Sequence, residues 1–386
     1  MPGAPRARGG DGAFGLSAGQ SDATSTEFPH DLLSLLRCSR DGGLLALGPG
    51  PLSGAVGVVD ARMRCSTCST EYRIERGIAR LMAATLSPED QHEIRLRDEG
   101  FAGMPAGAFT PPDTGWRSAF SDRIEIPPHL EGLAPLDGRR VLEIGCGDGR
   151  FTLLMAQMGA QVLAVDFSIN ALGALASRLS SGLAPTTFQV PHPRREGDLR
   201  ASVGLVQADA SQFYVAARAF DRALSATPLD SRDERMAMFR VIAEALTDDG
   251  RFVGGVEHDD LMRRLLGLPT ARRYSPGGIF IEHFDIASLR REAAPYFSRL
   301  RIRLIRPRVP FVNRLPLEWR VRVSRAASAL PIVRQLSEIL LLRAERPLRP
   351  PEEGVKRRGS SLVKGLVRWY VRKNGRAPLW DNNEPI

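Results

Sequence analysis

Three glycines alternate in Val141-Leu142-Glu143-Ile144-Gly145-Cys146-Gly147-Asp148-Gly149, directly behind an apolar run and ahead of a helical pattern. Glycine adopts left-handed backbone and has no Cβ, so such a turn lets the main chain close in on a ligand. Glu143 stands at the end of the preceding strand, and Asp166 follows seventeen residues after Gly149 at the end of the next apolar run. A carboxylate there can accept hydrogen bonds from both hydroxyls of a ribose. The spacing is Gly-x-Gly-x-Gly, not Gly-x-Gly-x-x-Gly, and Arg150 comes next. That suits a nucleoside ligand with no pyrophosphate at the helix N-terminus.

The elements that position these residues are readable from periodicity. Val141–Ile144, Gln161–Val165, Val203–Ala208, Asp221–Ser225 and Arg251–Val256 read as strands. Helical patterns cover Phe151–Met158, 169–180 and Arg232–Leu246. Strands separated by helices of that length imply βαβ units and a parallel sheet, hence an α/β domain with helices on both faces. Asp285 reads as the N-cap of a helix to Ala294, followed by strands at Leu300–Ile305 and Ile339–Arg343. Between those strands lies an insertion, 309–336, with a helix around Leu317–Leu330. Upstream, 83–138 reads as a helical connector, with Ser87 capping a helix to Glu99, a Gly/Pro-rich loop from Gly103 to Gly115, and a helix broken at Pro127-Pro128.

In this set of motifs the chain resembles the class I S-adenosylmethionine-dependent methyltransferases, especially the group that includes ubiquinone and menaquinone methyltransferases. Val141–Arg150 resembles their first motif, and Asp166 the acid of their second strand. Val206-Gln207-Ala208-Asp209-Ala210 resembles the motif whose acid lies near the adenine amino group. Phe220–Ser225 and Leu246–Phe252 complete the order, with Asp248-Asp249-Gly250 where the family has a Pro-Gly-Gly turn. The resemblance implies a Rossmann-like domain over 139–345 and S-adenosylmethionine as cofactor. The implied cofactor contacts are Glu143, Gly145, Cys146, Gly147, Gly149, Asp166, Phe167, Asp209, Ala210 and Ser225.

Methyl transfer needs alignment in a dry site, plus a base when the acceptor must lose a proton. His258, in Glu257-His258-Asp259-Asp260, follows the fifth strand; His283 is the second candidate. After the fourth strand stands Ala226-Thr227-Pro228-Leu229, which lacks the Asn/Asp-Pro-Pro-aromatic pattern of many nucleobase amino-methyltransferases. A Pro-Cys nucleophile pair is missing, which argues against cytosine C5 chemistry. A catechol-type magnesium site would want an acid at Ser225 or Ala226.

Cys38, Cys65 and Cys68 lie in one span, and Cys65-Ser66-Thr67-Cys68 has metal-knuckle spacing. Residues 29–82 resemble the small zinc ribbon that precedes some bacterial methyltransferase domains and forms an activator subunit of tRNA and protein methyltransferases. Where that ribbon has its first Cys-x-x-Cys, this chain has Cys38-Ser39-Arg40-Asp41. Aspartate can ligate zinc, so Cys38, Asp41, Cys65 and Cys68 form a candidate structural site. A ribbon that has lost its metal, and a redox role, are the alternatives.

Charge is uneven along the chain. From Ser298 onward there are 21 Lys+Arg against 7 Asp+Glu, a net of +14; subtraction from the totals of 53 and 44 leaves 32 against 37, a net of −5. The basic tail, 346–386, includes an amphipathic stretch at 360–373 with Lys364, Arg368 and Arg372 on its polar face. That pattern suits peripheral contact with a membrane, or packing on the main domain. Low aromatic content weakens RNA as the acidic partner without removing it. Residues 1–28 read as a disordered leader without an apolar signal region, and a cytoplasmic location is the expectation. The acceptor expected is an O or C atom of a small molecule or lipid-linked metabolite; the alternative is rRNA or tRNA, held by the ribbon and the basic C-terminus.

Overall fold

A computed structural model of the chain describes residues 26–82, 88–101, 118–226, 232–273 and 280–349. The leader through residue 25, Ser87, the Gly103–Gly115 loop and the 360–373 stretch lie outside the described residues. The N-terminal elements are β1 (Phe28–Pro29), α1 (His30–Leu33), β2 (Leu45–Leu47), β3 (Leu52–Ser53), β4 (Gly57–Cys65), β5 (Glu71–Glu75) and β6 (Ile78–Arg80). Two helices follow, α2 (Pro88–Phe101) and α3 (Ala119–Leu133). The alternating region is β7 (Arg140–Ile144), α4 (Thr152–Gln157), β8 (Gln161–Asp166), α5 (Ile169–Leu179), β9 (Val203–Gln207), β10 (Phe220–Ser225), α6 (Arg232–Ala245) and β11 (Leu246–Glu257). The chain continues through α7 (Leu261–Leu265), β12 (Ala271–Arg273), β13 (Phe280–Glu282), α8 (Ile286–Ala293) and β14 (Phe297–Pro307). It closes with α9 (Leu317–Ala327), α10 (Pro331–Gln335) and β15 (Ser337–Pro347).

The main sheet runs β9-β8-β7-β10-β11-β15-β14. Strands β7 to β11 pair in parallel, whereas β15 is antiparallel to both β11 and β14. This is the Rossmann-like sheet expected from the motifs. Strand order reverses between β7 and β10, and open α/β sheets bind ligands at that switch point, beyond the carboxyl ends of the strands.

The ribbon-like unit joins the same sheet. Its strand β6 pairs in parallel with β9, Ile78 opposite Leu205, and β5 and β4 extend the sheet beyond it. Phe28, Leu32 and Ile74 of that unit share one buried cluster with Phe213, Phe239 and Phe252. Each such side chain contributes about 1.5–3 kcal/mol when removed from water. A second cluster on the opposite face packs Ile126, Leu130, Leu153 and Leu172 beneath α3, α4 and α5.

Local rules explain most element ends. Ser168 caps α5 by accepting from Ala171 N–H at 3.1 Å, and Leu172, Leu175 and Leu179 recur at helical spacing on its buried face. Asp285 caps α8 through Ser288 N–H at 2.7 Å. Pro127-Pro128 does not break α3, contrary to the sequence expectation. A proline at 127 deprives the Arg123 carbonyl of its helical donor, and the guanidinium of Arg325 on α9 supplies one instead at 3.2 Å. The Asp248-Asp249-Gly250 turn is a bulge within β11: Phe220 pairs with Leu246 and Arg222 with Arg251.

Candidate active site

Strands β7, β8 and β9 end side by side, with Ile144 in register with Val165 and Asp166 with Gln207. Gly145, Gly147 and Gly149 have φ of 76°, 53° and 93°, all left-handed, which explains why glycine recurs at alternate positions. The N–H groups of Gly145 and Cys146 both donate to the Val165 carbonyl, at 2.8 and 3.1 Å. Asp166 then grips the turn from β8. It accepts from Gly147 N–H at 2.8 Å and from Ser168 N–H at 2.9 Å.

Carboxyl groups crowd the turn. Glu143 is buried and accepts from the Thr152 hydroxyl at 2.5 Å. Burial pushes its carboxyl up to about 8, and the neighbouring Asp166 charge acts in the same direction. Burial, then Asp166, Glu143 and Asp148, hold the Cys146 thiol well above its ordinary range. Asp148 is paired with buried Arg178 at 3.1 Å.

Asp209 stands past β9 and accepts from Ser211 N–H at 2.8 Å and from the Gln212 amide at 3.1 Å. The Phe167 carbonyl accepts from the Gln207 amide at 3.0 Å, and Ala210 packs partly buried against the core. The structure thus brings together the turn, Glu143, Asp166, Phe167, Asp209 and Ala210. Ser225 goes elsewhere. It pairs with Gly254 and lines a small cavity beneath α6 with Arg235, Met238 and Phe239.

Helix α2 supplies a wall that the sequence did not reveal. Asp98 accepts from the Ser168 hydroxyl at 2.5 Å and from Asn170 N–H at 3.2 Å, and the Asn170 amide donates to the Asp98 carbonyl at 3.0 Å. Phe101 lies over the turn, its ring edge 3.5 Å from where a Cβ on Gly147 would stand.

The two predicted bases are both tied to carbonyls. His258 is buried with Nδ1 2.7 Å from the Ser337 carbonyl, so that nitrogen carries the proton and Nε2 the lone pair. His283 places Nδ1 3.2 Å from the Thr270 carbonyl. Burial lowers both imidazole pKa values, favouring the neutral ring.

Two further groups stand near these bases, His129, which emerges only from the structure, and Glu257. His129 of α3 donates from Nδ1 to the Glu125 carbonyl at 2.7 Å and packs against the Phe151 ring at 5.1 Å. Its buried Nε2 has no hydrogen-bond partner among the described residues and faces Gly255 near the carboxyl end of β11. Burial pulls its pKa down to about 4, so the ring is a neutral acceptor. Glu257, two residues past Gly255, is pushed up to about 7, chiefly by burial. Arg306 joins this rim to the glycine turn: it pairs with Glu125 at 2.8 Å, and Glu125 also pairs with Arg150 at 3.2 Å. The histidine signal was hidden in a segment read as a connector, beside two prolines.

Below the sheet's other edge, Cys38, Asp41, Cys65 and Cys68 present ligand atoms all within 4.8 Å of one another. Cys38 Sγ lies 3.6 Å from Cys68 Sγ, and Cys65 Sγ 3.3 Å from Asp41 Oδ1. Zn–S bonds of about 2.3 Å set tetrahedral S···S edges of about 3.8 Å, so the donor set fits a zinc ion.

The model of the methyltransferase domain family matches residues 141–250, which run from the first strand through the β11 bulge. Residues 141–250 are a methyltransferase domain. The ubiquinone biosynthesis O-methyltransferase of Paracidovorax citrulli is 49% identical over 43 residues, 11% of this chain and 18% of that protein. A 23S rRNA (uracil(1939)-C(5))-methyltransferase of Shewanella is 31% identical over 111 residues, 28% of this chain and 23% of that protein. Phosphoethanolamine N-methyltransferase 1 of Haemonchus contortus, solved with phosphoethanolamine and S-adenosylhomocysteine, is 14% identical; the likeness covers 74% of this chain and 56% of that one, with a TM-score of 0.42. The chain therefore spans less than a quarter of the curated relatives it matches.

Proposed function

We propose that this protein is an S-adenosylmethionine-dependent methyltransferase acting on an O or C acceptor of a small or lipid-linked metabolite. The observation that carries this reading is the left-handed glycine turn gripped by Asp166 beside buried Glu143. The residues fit the cofactor: a glycine cradle, with carboxyl groups at or just past the ends of three adjacent strands. When bound, S-adenosylmethionine supplies an electrophilic methyl on its sulfonium. In this reading Asp166 would hold the ribose hydroxyls and Asp209 the adenine amino group. Phe101 and α2 partly cover the turn, and exclusion of water on closure would strengthen each polar contact inside.

The chain's remaining task is to align the acceptor and take its proton. Glu257, His258, His283 and the Nε2 of His129 are the groups near the late strands that can accept one. Calorimetric titration with S-adenosylmethionine, followed by labelled-methyl transfer to fractionated lipids, RNA and small metabolites, tests the reading. No binding of the donor would sink it. Label in lipid or small-molecule fractions is the expected result.

The similarity to an rRNA methyltransferase supports a second reading, with RNA as acceptor. Its weakness is the lack of a cysteine suited to C5 attack, because three cluster at the metal-type site and Cys146 is buried under the glycine turn. Salt-sensitive RNA retention would favour it.

We also infer a structural zinc held by Cys38, Asp41, Cys65 and Cys68, from their mutual spacing.

A further inference from the structure

We propose that the rim formed by α7 and the 309–336 insertion docks on an anionic lipid bilayer, so that the acceptor reaches the site from the membrane. The docking itself does not depend on the methyl-transfer reading; only the delivery of acceptor does.

The rim is built where three neighbouring strands end. Helix α7 leaves β11, and the insertion links the end of β14 to the start of β15, which pair as Pro307 with Ser337. Asp260 at the α7 N-cap and Arg308 at the root of the insertion are joined at 3.4 Å. This is also the end of the sheet where ligands bind.

Its apolar side chains point outward. Leu265 at the end of α7 is 73% exposed and Leu266 just past it 64%, with Phe311 at 74% and Ile332 at 73% on the insertion. Trp319 and Leu330 are each 57% exposed. Single exposed apolar residues are ordinary, but a group at one end of a molecule marks an interaction surface. Arg263 and Arg264 pair with Asp259, and Arg308 with Asp260 and Glu338. But Arg314, Arg320, Arg322, Arg325 and Arg334 of the insertion stand against a single acid within it, Glu318. Arg322 lies 5.6 Å from the Trp319 ring and Arg314 5.1 Å from the Phe311 ring. Aromatic and aliphatic side chains set among arginines match the boundary between acyl chains and anionic headgroups.

Other occupants fit less well. A second copy would bring one arginine-rich rim against another, which costs energy through like-charge contact. Nucleic acid would use the arginines but not the leucines and isoleucine, which offer no stacking face to bases. Among the described residues no helix is long and apolar enough to cross a membrane, so contact would be at the surface.

The test is flotation of the full chain with phosphatidylcholine vesicles, with and without phosphatidylglycerol. Binding is expected only with phosphatidylglycerol, weakened by salt. A double Leu265→Glu, Leu266→Glu variant and a separate Ile332→Glu variant are expected to lower vesicle partitioning at least tenfold, with unchanged circular dichroism. The substituted positions are exposed and away from the glycine turn, so S-adenosylmethionine binding should persist in both. No flotation of the wild type would overturn the proposal, as would flotation that both variants retain. A concentration-dependent dimer lost in the leucine variant would instead assign the rim to a second copy.

Discussion

His129 Nε2 lies 3.1 Å from the point that a Cβ on Gly255 would occupy. A glycine inside β11 is locally unfavourable, so its place there is explained by what it makes room for. The imidazole is fixed from the other side by the Glu125 carbonyl and the Phe151 ring, and it has little freedom to retreat. Gly255→Ala is therefore expected to cost about 1–3 kcal/mol of stability, as overpacking does. Urea unfolding of this variant, alone and combined with His129→Ala, checks the cause. A Gly255→Ala protein as stable as wild type would refute the contact, and the double variant should recover part of the loss.

Asp166 holds the glycine turn through Gly147 N–H and is also the acid proposed to meet a ribose. Asp166→Ala removes both functions, whereas Asp166→Asn keeps the size while offering one acceptor oxygen. The expected order of S-adenosylmethionine affinity is wild type, then Asn, then Ala, with at least a tenfold loss for Ala, or about 1.4 kcal/mol or more. Isothermal titration measures it. Equal affinity in all three would remove Asp166 from the cofactor site.

Glu143 gives the free protein a pH signature. Its carboxyl is raised to about 8 in the fold, chiefly by burial, against an unfolded value near 4.5. Between those values the native state keeps a proton that the unfolded state has released. Stability from this group is fully present below pH ~4.5, falls as pH rises, and is lost above about 8, with a slope on the order of 1.4 kcal/mol per pH unit. Glu143→Gln, which stays neutral, should flatten the thermal-stability profile across that window. A profile identical to wild type would show that Glu143 is ionised in the fold.

The cofactor half of the site was legible because it is local. The turn, Glu143 and the strand-end acids are fixed by one strand-turn-helix and its next two strands, so residue spacing carries their geometry. Ser225 lines a cavity beneath α6 instead of joining the turn, since strand alternation, not proximity in sequence, decides which face receives a side chain. His129 and Asp98 escaped because their relevance depends on α3 and α2 crossing a sheet that begins later in the chain. The continuity of α3 through two prolines escaped for the same reason: its spare carbonyl is satisfied by Arg325, about two hundred residues away in sequence. The N-terminal unit was read as separate since nothing in its sequence announces that β6 will pair with β9.

That pairing makes the zinc inference testable through cooperativity. Cys65 ends β4 and Cys68 lies in the turn leading to β5, so loss of the metal would loosen the hairpin that carries β6. Because β6 is hydrogen-bonded to β9 and Phe28 and Leu32 sit in the shared core, loosening is transmitted to the methyltransferase domain. Purified protein is expected to hold one zinc per chain by mass spectrometry, and Cys65→Ser to hold much less. Chelation should lower the midpoint of one thermal transition, since binding energy of a structural metal is folding energy. Melting of the N-terminal unit alone, before an unchanged main transition, would contradict the continuous sheet. Metal-free protein with an unaltered melt would instead remove zinc from the fold.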